Sequence, residues 1–466
     1  MSFLRTHSLA WLFVIAAPVV SYLYLTELQI GHQAAIFSAI AITTLLLWMF
    51  SLLGDYIPAL LALLALLLFG LAPETTVLSG FASSGFLLAF SIMGLGVVIV
   101  ESGLTRRYTL ILLKHLPTNT FTHQLSVFLT GVVFTPTVPT ITGRAAIVGP
   151  VVSHISDGWN EETKKRSSTM LYTTGLDSIH YLAPWFLTAA PANLMIFALL
   201  PSQEQQTFHF MFWAFAASVT GLSLLIFYFI ASAIFFRKAY KHVEISHQDV
   251  NRELAELGPL SSGEKTALYA IGLLALGIVT APLHKIEIHY VAFGVICLLL
   301  YLGSLERKDF VGKIDWAFLA LLASMIGILA TMNHLGLDKA ITNNLSWLSN
   351  YMRQDFELFV LMLSGVILLA RLLIPLNQAI LIFAAALIPV ASSAGIAPWV
   401  VGFIILIIAE TAFFAYQSPY IFMFRNITKS VSRDEHKIRL FHALLVVFKI
   451  AAIYISIPFW KSIGVL

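Results

Sequence analysis

The chain is expected to fold as an all-α polytopic membrane protein, with about eleven transmembrane helices and two re-entrant hairpins in two inverted repeats. Three observations predict this. Hydrophobic residues fill 59% of the 466 positions and charged ones only 11%, a balance that ordinary soluble domains of this length do not have. Apolar runs long enough to cross, or nearly cross, a bilayer recur along the chain. Two short polar breaks, Pro139-Thr-Ile-Thr-Gly-Arg144 and Pro375-Leu-Asn-Gln-Ala379, interrupt it about 236 residues apart. Lipid cannot satisfy free backbone N–H and C=O groups, so such breaks survive only where protein or a water-filled cavity covers them. A duplicated break points to a duplicated half-site, the mark of a secondary transporter.

The first run, at about 8 to 25, follows Arg5 and lacks a small-x-small cleavage site, so it reads as a retained helix rather than a signal peptide. Runs at 33 to 53, 57 to 72 and 83 to 100 complete the scaffold helices of 8–104. The segment 123 to 153 has two short apolar arms around its break and reads as the first hairpin. A helix at 170 to 200 follows, broken at Ala190-Pro191-Ala192-Asn193. The run at 208 to 235 closes the first repeat (1–235), and its Phe208, Phe210, Phe212, Trp213 and Phe215 read as an interfacial aromatic belt. The polar stretch 236–265 is a cytoplasmic linker, too short for a soluble domain. The second repeat (266–466) has the same plan: runs at 266 to 282, 289 to 304 and 316 to 333, a hairpin at 356 to 393, a helix at 397 to 424 broken at Gln417-Ser418-Pro419-Tyr420, and a final run at 440 to 464. Gly103 lies 36 residues before Pro139 and Gly336 lies 39 before Pro375.

Basic residues orient this layout, because Lys and Arg favour cytoplasmic loops. With the N-terminus inside and both hairpins returning to their own side, twenty of the 27 Lys and Arg fall inside and four outside, leaving Arg144, Arg371 and Lys449 in membrane segments. The C-terminus is then outside, and the two hairpins enter from opposite faces. The formal charge of +3 is small and loop-concentrated, so nucleic acid is not an expected partner. Cys297 is the single cysteine, which excludes disulfides within the chain and Cys-based metal sites. The chain has no Gly-x4-Gly-Lys-Ser/Thr loop, no His-Glu-x-x-His pair and no Gly-x-Ser-x-Gly elbow, so neither ATP-driven pumping nor an enzyme is expected.

The candidate site lies at the two tips. A helix starting just after Thr142 offers free N–H groups and its positive dipole end, which suits an anion. Thr140 and Thr142 add hydroxyls, Arg144 adds a fork matched to carboxylate or sulfate oxygens, and Gly143 between them is a further substrate-binding candidate. Against this, Arg144 has two structural alternatives, snorkelling to the cytoplasmic surface or pairing with Asp177. At the second tip Asn377, Gln378 and Ala379 present two amides and a helix start, with simple end-capping as the alternative. Asn193 and Ser418 stand at the broken helices. Coupling-ion candidates are Thr140, Asp177, Asn377 and Glu410, the two acids serving as sodium ligands, proton carriers or neutralising partners of Arg144 or Arg371. His180 shares a helix face with Asp177. Glu101 is expected to pair with Arg106 and Arg107, and Lys449 to snorkel.

Leu78-Ser-Gly80-Phe81-Ala-Ser-Ser, closing with Glu101-Ser-Gly103-Leu104-Thr-Arg106-Arg107, is similar to the segment leading into the first hairpin of the divalent anion:sodium symporters, and the order of helices, hairpins and Pro breaks resembles that family over nearly the whole chain. The resemblance implies carriage of dicarboxylates, citrate or sulfate, a homodimer with a static scaffold, and hairpins plus broken helices moving as an elevator in a bacterial-type inner membrane. Family tips typically read Ser-Asn-Thr and bind substrate carboxylate and sodium. Here they read Thr140-Ile141-Thr142 and Leu376-Asn377-Gln378, the first resembling a Pro-Ser-x-Thr-Ala-Arg variant in the wider family. The expected function is therefore cation-coupled uptake of small divalent organic anions, with Na+ favoured over H+ and no other cofactor. The alternatives are sulfate transport, uncoupled anion exchange, and a channel or sensor.

Overall fold

A computed structural model describes residues 2–27, 31–115, 120–136, 138–240, 247–414 and 417–466. Its described secondary structure is helical throughout, and among the described residues eight helices are long and apolar enough to span a bilayer, with five shorter apolar helices beside them. The all-α polytopic class therefore stands. Each expected run is a helix, and both hairpins are helix pairs: Thr120–Phe134 with Ile141–Asp157, and Phe356–Ala370 with Leu376–Ser393. In each hairpin the two arms pack on one another. Both expected broken helices are broken. Glu161–Ser178 gives way to two short 3-10 turns before Pro191–Leu199, and Pro398–Ala409 ends before Pro419–Ile427 begins.

The paired glycines have a common conformational cause. Gly103 (φ +79°) and Gly336 (φ +70°) both adopt the left-handed conformation just past helix ends, after Ser84–Glu101 and Trp316–His334, where a residue with a Cβ would be strained. Start signals sharpen two boundaries that hydropathy alone left late. Ser261 and Glu264 form a capping box that starts a helix at Ser262, and Asp434 accepts from the His436 and Lys437 N–H groups to start the last helix at Glu435.

By compactness the chain divides into two units, each drawing on both halves of the sequence. One holds 1–87, 195–205 and 315–405; the other holds 88–194, 206–314 and 406–466. In the first unit, Trp316–His334 lies against Tyr56–Leu68 and the 79–82 turn, around Phe37, Leu63, Leu66, Val77 and Met332. In the second, the final helix runs along Ser218–Phe235 and the first hairpin packs on Glu161–Ser178. Its approach is close enough that a Cβ on Gly131 would lie 2.4 Å from the Ser178 carbonyl oxygen, and one on Gly175 2.5 Å from Val152 Cγ2.

Three sequence expectations about side chains are corrected here. Glu101 pairs with Lys313 at 2.5 Å, because Arg106 and Arg107 are drawn to the polar stretch instead. Arg106 meets Glu253 at 3.3 Å, and Arg107 forks onto Glu264 at 2.7 and 3.0 Å while also donating to the carbonyls of Leu257, Gly258 and Pro259. Residues 241–246 of that stretch lie outside the described residues; 247–256 form a helix. The aromatic belt is only partial. Phe215 is exposed, but Phe208 and Trp213 are buried, the indole N–H donating to the Pro184 carbonyl at 3.0 Å. The freed carbonyls of a helix break offer that indole a partner that lipid does not. Lys449 does not snorkel. It is 3% exposed, and its Nζ donates to Thr411 Oγ1 at 3.0 Å, 5.6 Å from the Tyr181 ring centroid.

Candidate functional site

In the second unit the first hairpin tip is organised by its own arginine. Thr140 caps the second arm, its Oγ1 accepting from the Gly143 N–H at 3.1 Å. Thr142 beside it is exposed and Gly143 half-buried. Arg144 is fully buried. Its Nη1 donates to the carbonyls of Val138 (2.6 Å) and Ala189 (2.5 Å), and its Nε to that of Ile179 (2.8 Å). Ile179 and Ala189 stand at either end of the break in the following helix, so one cation ties the hairpin tip to both lips of that break. It absorbs carbonyls that lipid would leave unsatisfied. Arg144 Nη2 has no hydrogen-bond partner among the described residues. The pairing of Arg144 with Asp177, one of the structural alternatives, is not formed; Asp177 Oδ1 meets His442 instead.

The two breaks are stapled by amides in opposite senses. Asn193 Nδ2 donates to the carbonyls of Ala183 and Phe186, both at 2.8 Å, and its buried Oδ1 makes no hydrogen bond among the described residues. Gln417 Oε1 accepts from the N–H groups of Phe413 (2.6 Å) and Phe414 (2.9 Å). Ser418 occupies the N-cap position of the next helix, yet its buried Oγ makes no hydrogen bond among the described residues. It is a hydroxyl still available to a ligand.

Asp177 finds a different partner from those weighed in the sequence. Its Oδ1 lies 2.9 Å from His442 Nε2, and His442 Nδ1 lies 3.0 Å from the Ala412 carbonyl. A carbonyl only accepts, so Nδ1 carries a hydrogen. The contact to Asp177 then needs a second proton, on the ring or on the carboxyl. This geometry therefore holds one proton more than a neutral imidazole beside a carboxylate. His180 is satisfied within its own helix, Nδ1 at 2.9 Å from the Leu176 carbonyl, with its ring 4.9 Å from that of Tyr420.

The sequence reading missed His442, took Lys449 only as a snorkelling residue, and named Gln417 only as part of the second break. A signal for the first two exists: His442, Lys449 and Ser456 recur every seven residues along the final helix, one polar seam on an apolar rod. Ser456 Oγ meets Thr220 Oγ1 at 2.6 Å, so the whole seam faces protein.

In the first unit the second hairpin tip is differently built. Its helix starts at Leu376 behind Pro375, which supplies no side-chain cap, and the Ala379 N–H bonds the Pro375 carbonyl at 3.0 Å. Asn377 is half-buried; Gln378 is fully buried with neither amide atom hydrogen-bonded among the described residues. Neither amide caps its helix. A buried unpaired amide costs about 1–3 kcal/mol, a cost that a bound ligand would remove. Arg371, 1% exposed, donates from Nη1 to the Ile374 carbonyl at 2.8 Å.

The family described as the transmembrane region of sodium:sulfate symporters matches residues 5–463 of this chain. The chain belongs to the sodium:sulfate symporter family. It is thus a multi-pass membrane protein of a transporter family. Curated relatives include proteins named L-tartrate/succinate antiporter from Escherichia coli strain K12, Shigella dysenteriae serotype 1 and Shigella flexneri, each 25% identical over 265 residues, covering 55% of this chain and 54% of the relative. The chain spans about half the length of the curated relatives it matches. The sodium:sulfate symporter match, by contrast, takes in both hairpins and both broken helices.

Proposed function

We propose that this chain is a secondary active transporter of small divalent organic anions of the dicarboxylate type, coupled to a cation and working by an elevator-like movement. The observation that carries the reading is Arg144, a fully buried guanidinium in the first turn of a hairpin helix, with Nη2 left without a hydrogen-bond partner among the described residues. A permanent cation at membrane depth is costly and is functional by default. Its free nitrogen and the neighbouring helix start both favour one carboxylate. The names of the tartrate/succinate relatives favour a dicarboxylate over sulfate. The sodium reading rests on the oxygens at the two tips, those of Thr140, Asn377 and the broken backbone. A second reading, proton-linked transport or exchange, is favoured by the buried 2.9 Å contact between Asp177 and His442.

The test is a thermal-shift screen of the purified protein against succinate, tartrate, citrate and sulfate, each with and without sodium, because a ligand that binds only the native state raises apparent stability. Succinate or tartrate should raise the melting temperature, more so with sodium. Stabilisation by sulfate alone would overturn the substrate class.

The proposed setting is a bacterial-type inner membrane, with the N-terminus cytoplasmic, the C-terminus outside, and a homodimer as the working form. Cysteines at Ser262 and Asn343, in a Cys297→Ala background, are expected to react with an impermeant reagent from opposite sides, Ser262 from the cytoplasm. Ser262 serves better than the nearby Gly258, whose φ of +60° would strain a cysteine. Labelling of both from one side would remove the inverted arrangement.

A further inference from the structure

The first unit contains two cavities of opposite character along one seam. The larger, about 790 Å3, is lined by polar groups that include Ser83, Asn333, Asp338, Lys339 and Asn343. The smaller, about 250 Å3, is walled by Phe37, Ile40, Leu66, Met325, Ile328 and Leu381 among others. Leu329, Met332 and Ala385 line both, so the two spaces are neighbours. The smaller cavity offers a ligand no polar atom. Its Thr44 hydroxyl donates to the Ile40 carbonyl within the same helix at 2.9 Å, and its Trp48 indole donates to the Asp55 carbonyl at 2.8 Å. Only hydrocarbon suits it, since a polar occupant would lose its own hydrogen bonds. Three of the helices that wall it, His32–Met49, Trp316–His334 and Leu376–Ser393, are long and apolar enough to span a bilayer. Leu45, also in its lining, is exposed on the outer face of its helix. The hydrocarbon at hand in that setting is a lipid chain.

The polar neighbour adds the other half of such a molecule. Part of its polar lining is already spent: Ser84 donates to Gln205 Oε1 at 2.8 Å, and Gln205 Nε2 to the carbonyls of Ala198 and Leu200. Lys339 makes no ion pair among the described residues, and it is exposed. Its ammonium is a point charge suited to a phosphate, with the amides of Asn333 and Asn343 in the same lining. From this pairing we infer that the seam is a phospholipid site, with one acyl chain in the apolar cavity and the phosphate head at Lys339. The lipid lies along the second arm of the second hairpin, through Ala385 and Leu381, and separates it in part from Trp316–His334. It does not depend on which anion the transporter carries.

Native mass spectrometry of the full chain, purified in mild detergent, tests this. Wild type should retain one phospholipid per chain. Ala385→Phe fills the shared wall and Ala41→Phe the apolar cavity, and both should lose it. Lys339→Glu, a surface change that leaves the core intact, should reduce retention about tenfold. Equal retention in Lys339→Glu and in whichever phenylalanine variants melt like wild type would overturn the site. So would displacement of the retained species by millimolar succinate, which would make the polar cavity a site for a free anion.

Discussion

Arg144→Ala is expected to cost the protein both its transport and several kcal/mol of its stability. Truncation leaves the carbonyls of Val138, Ile179 and Ala189 buried without their donor, and each buried acceptor left unsatisfied costs about 1–3 kcal/mol. Arg144→Lys keeps the charge but not the fork, and a single ammonium cannot reach three carbonyls in the same geometry. Its hairpin tip should therefore sit slightly misplaced, with uptake down by about 100-fold at a melting temperature nearer wild type than that of Arg144→Ala. Measuring both variants by thermal melt and by proteoliposome uptake separates the two roles. A well-folded Arg144→Ala with normal uptake would remove this residue from the mechanism.

The second large effect concerns the driving ion. Uptake into proteoliposomes is expected to follow an imposed sodium gradient at equal pH and to be near background under a pH gradient without sodium. The hard oxygen ligands at the two tips carry that expectation. The first tip supplies fewer of them than the family pattern, because Ile141 stands where the resemblance places an asparagine, and Thr140 Oγ1 is already engaged by Gly143. Flux driven by the pH gradient alone, and abolished by Asp177→Asn, His442→Gln or Glu410→Gln, would reverse the assignment and make the buried acid and histidine the coupling site.

Much of the fold was legible because lipid imposes few solutions. Runs of apolar residues must be helices, and a Pro/Gly/Thr break must be covered, so the order of the long apolar helices and the place of both tips could be read from spacing, while helix starts such as Glu161, Ser262 and Glu435 could not. The glycines at 103 and 336 were readable for the same reason, since φ near +70° selects the residue. The partners of charged side chains were less legible. Lys449 looked like a snorkelling residue because hydropathy records depth and not rotation about the helix axis. His442 was overlooked because one histidine carries little signal until its seven-residue repeat with Lys449 and Ser456 is noticed. Asp177 and His442 are 265 residues apart, and no local pattern joins them.

The glycines that seat the first hairpin have a historical consequence. A Cβ at Gly131 would collide with Ser178, one at Gly149 with Ile427, and one at Gly175 with both Val152 and Phe424, all within 2.8 Å. At Gly131 the obstacle is the Ser178 backbone carbonyl, which no side-chain change removes, whereas enlarging Gly149 or Gly175 is permitted only to a lineage that has already trimmed the opposing side chain, so the order of mutations matters as well as their identity. An alanine at 175 first needs a smaller side chain at both 152 and 424, and each of those replacements by itself opens a void. Descendants of this chain should therefore drift freely on the lipid-facing surfaces of their helices while these glycines stay fixed, held by the absence of any single neutral step away from them.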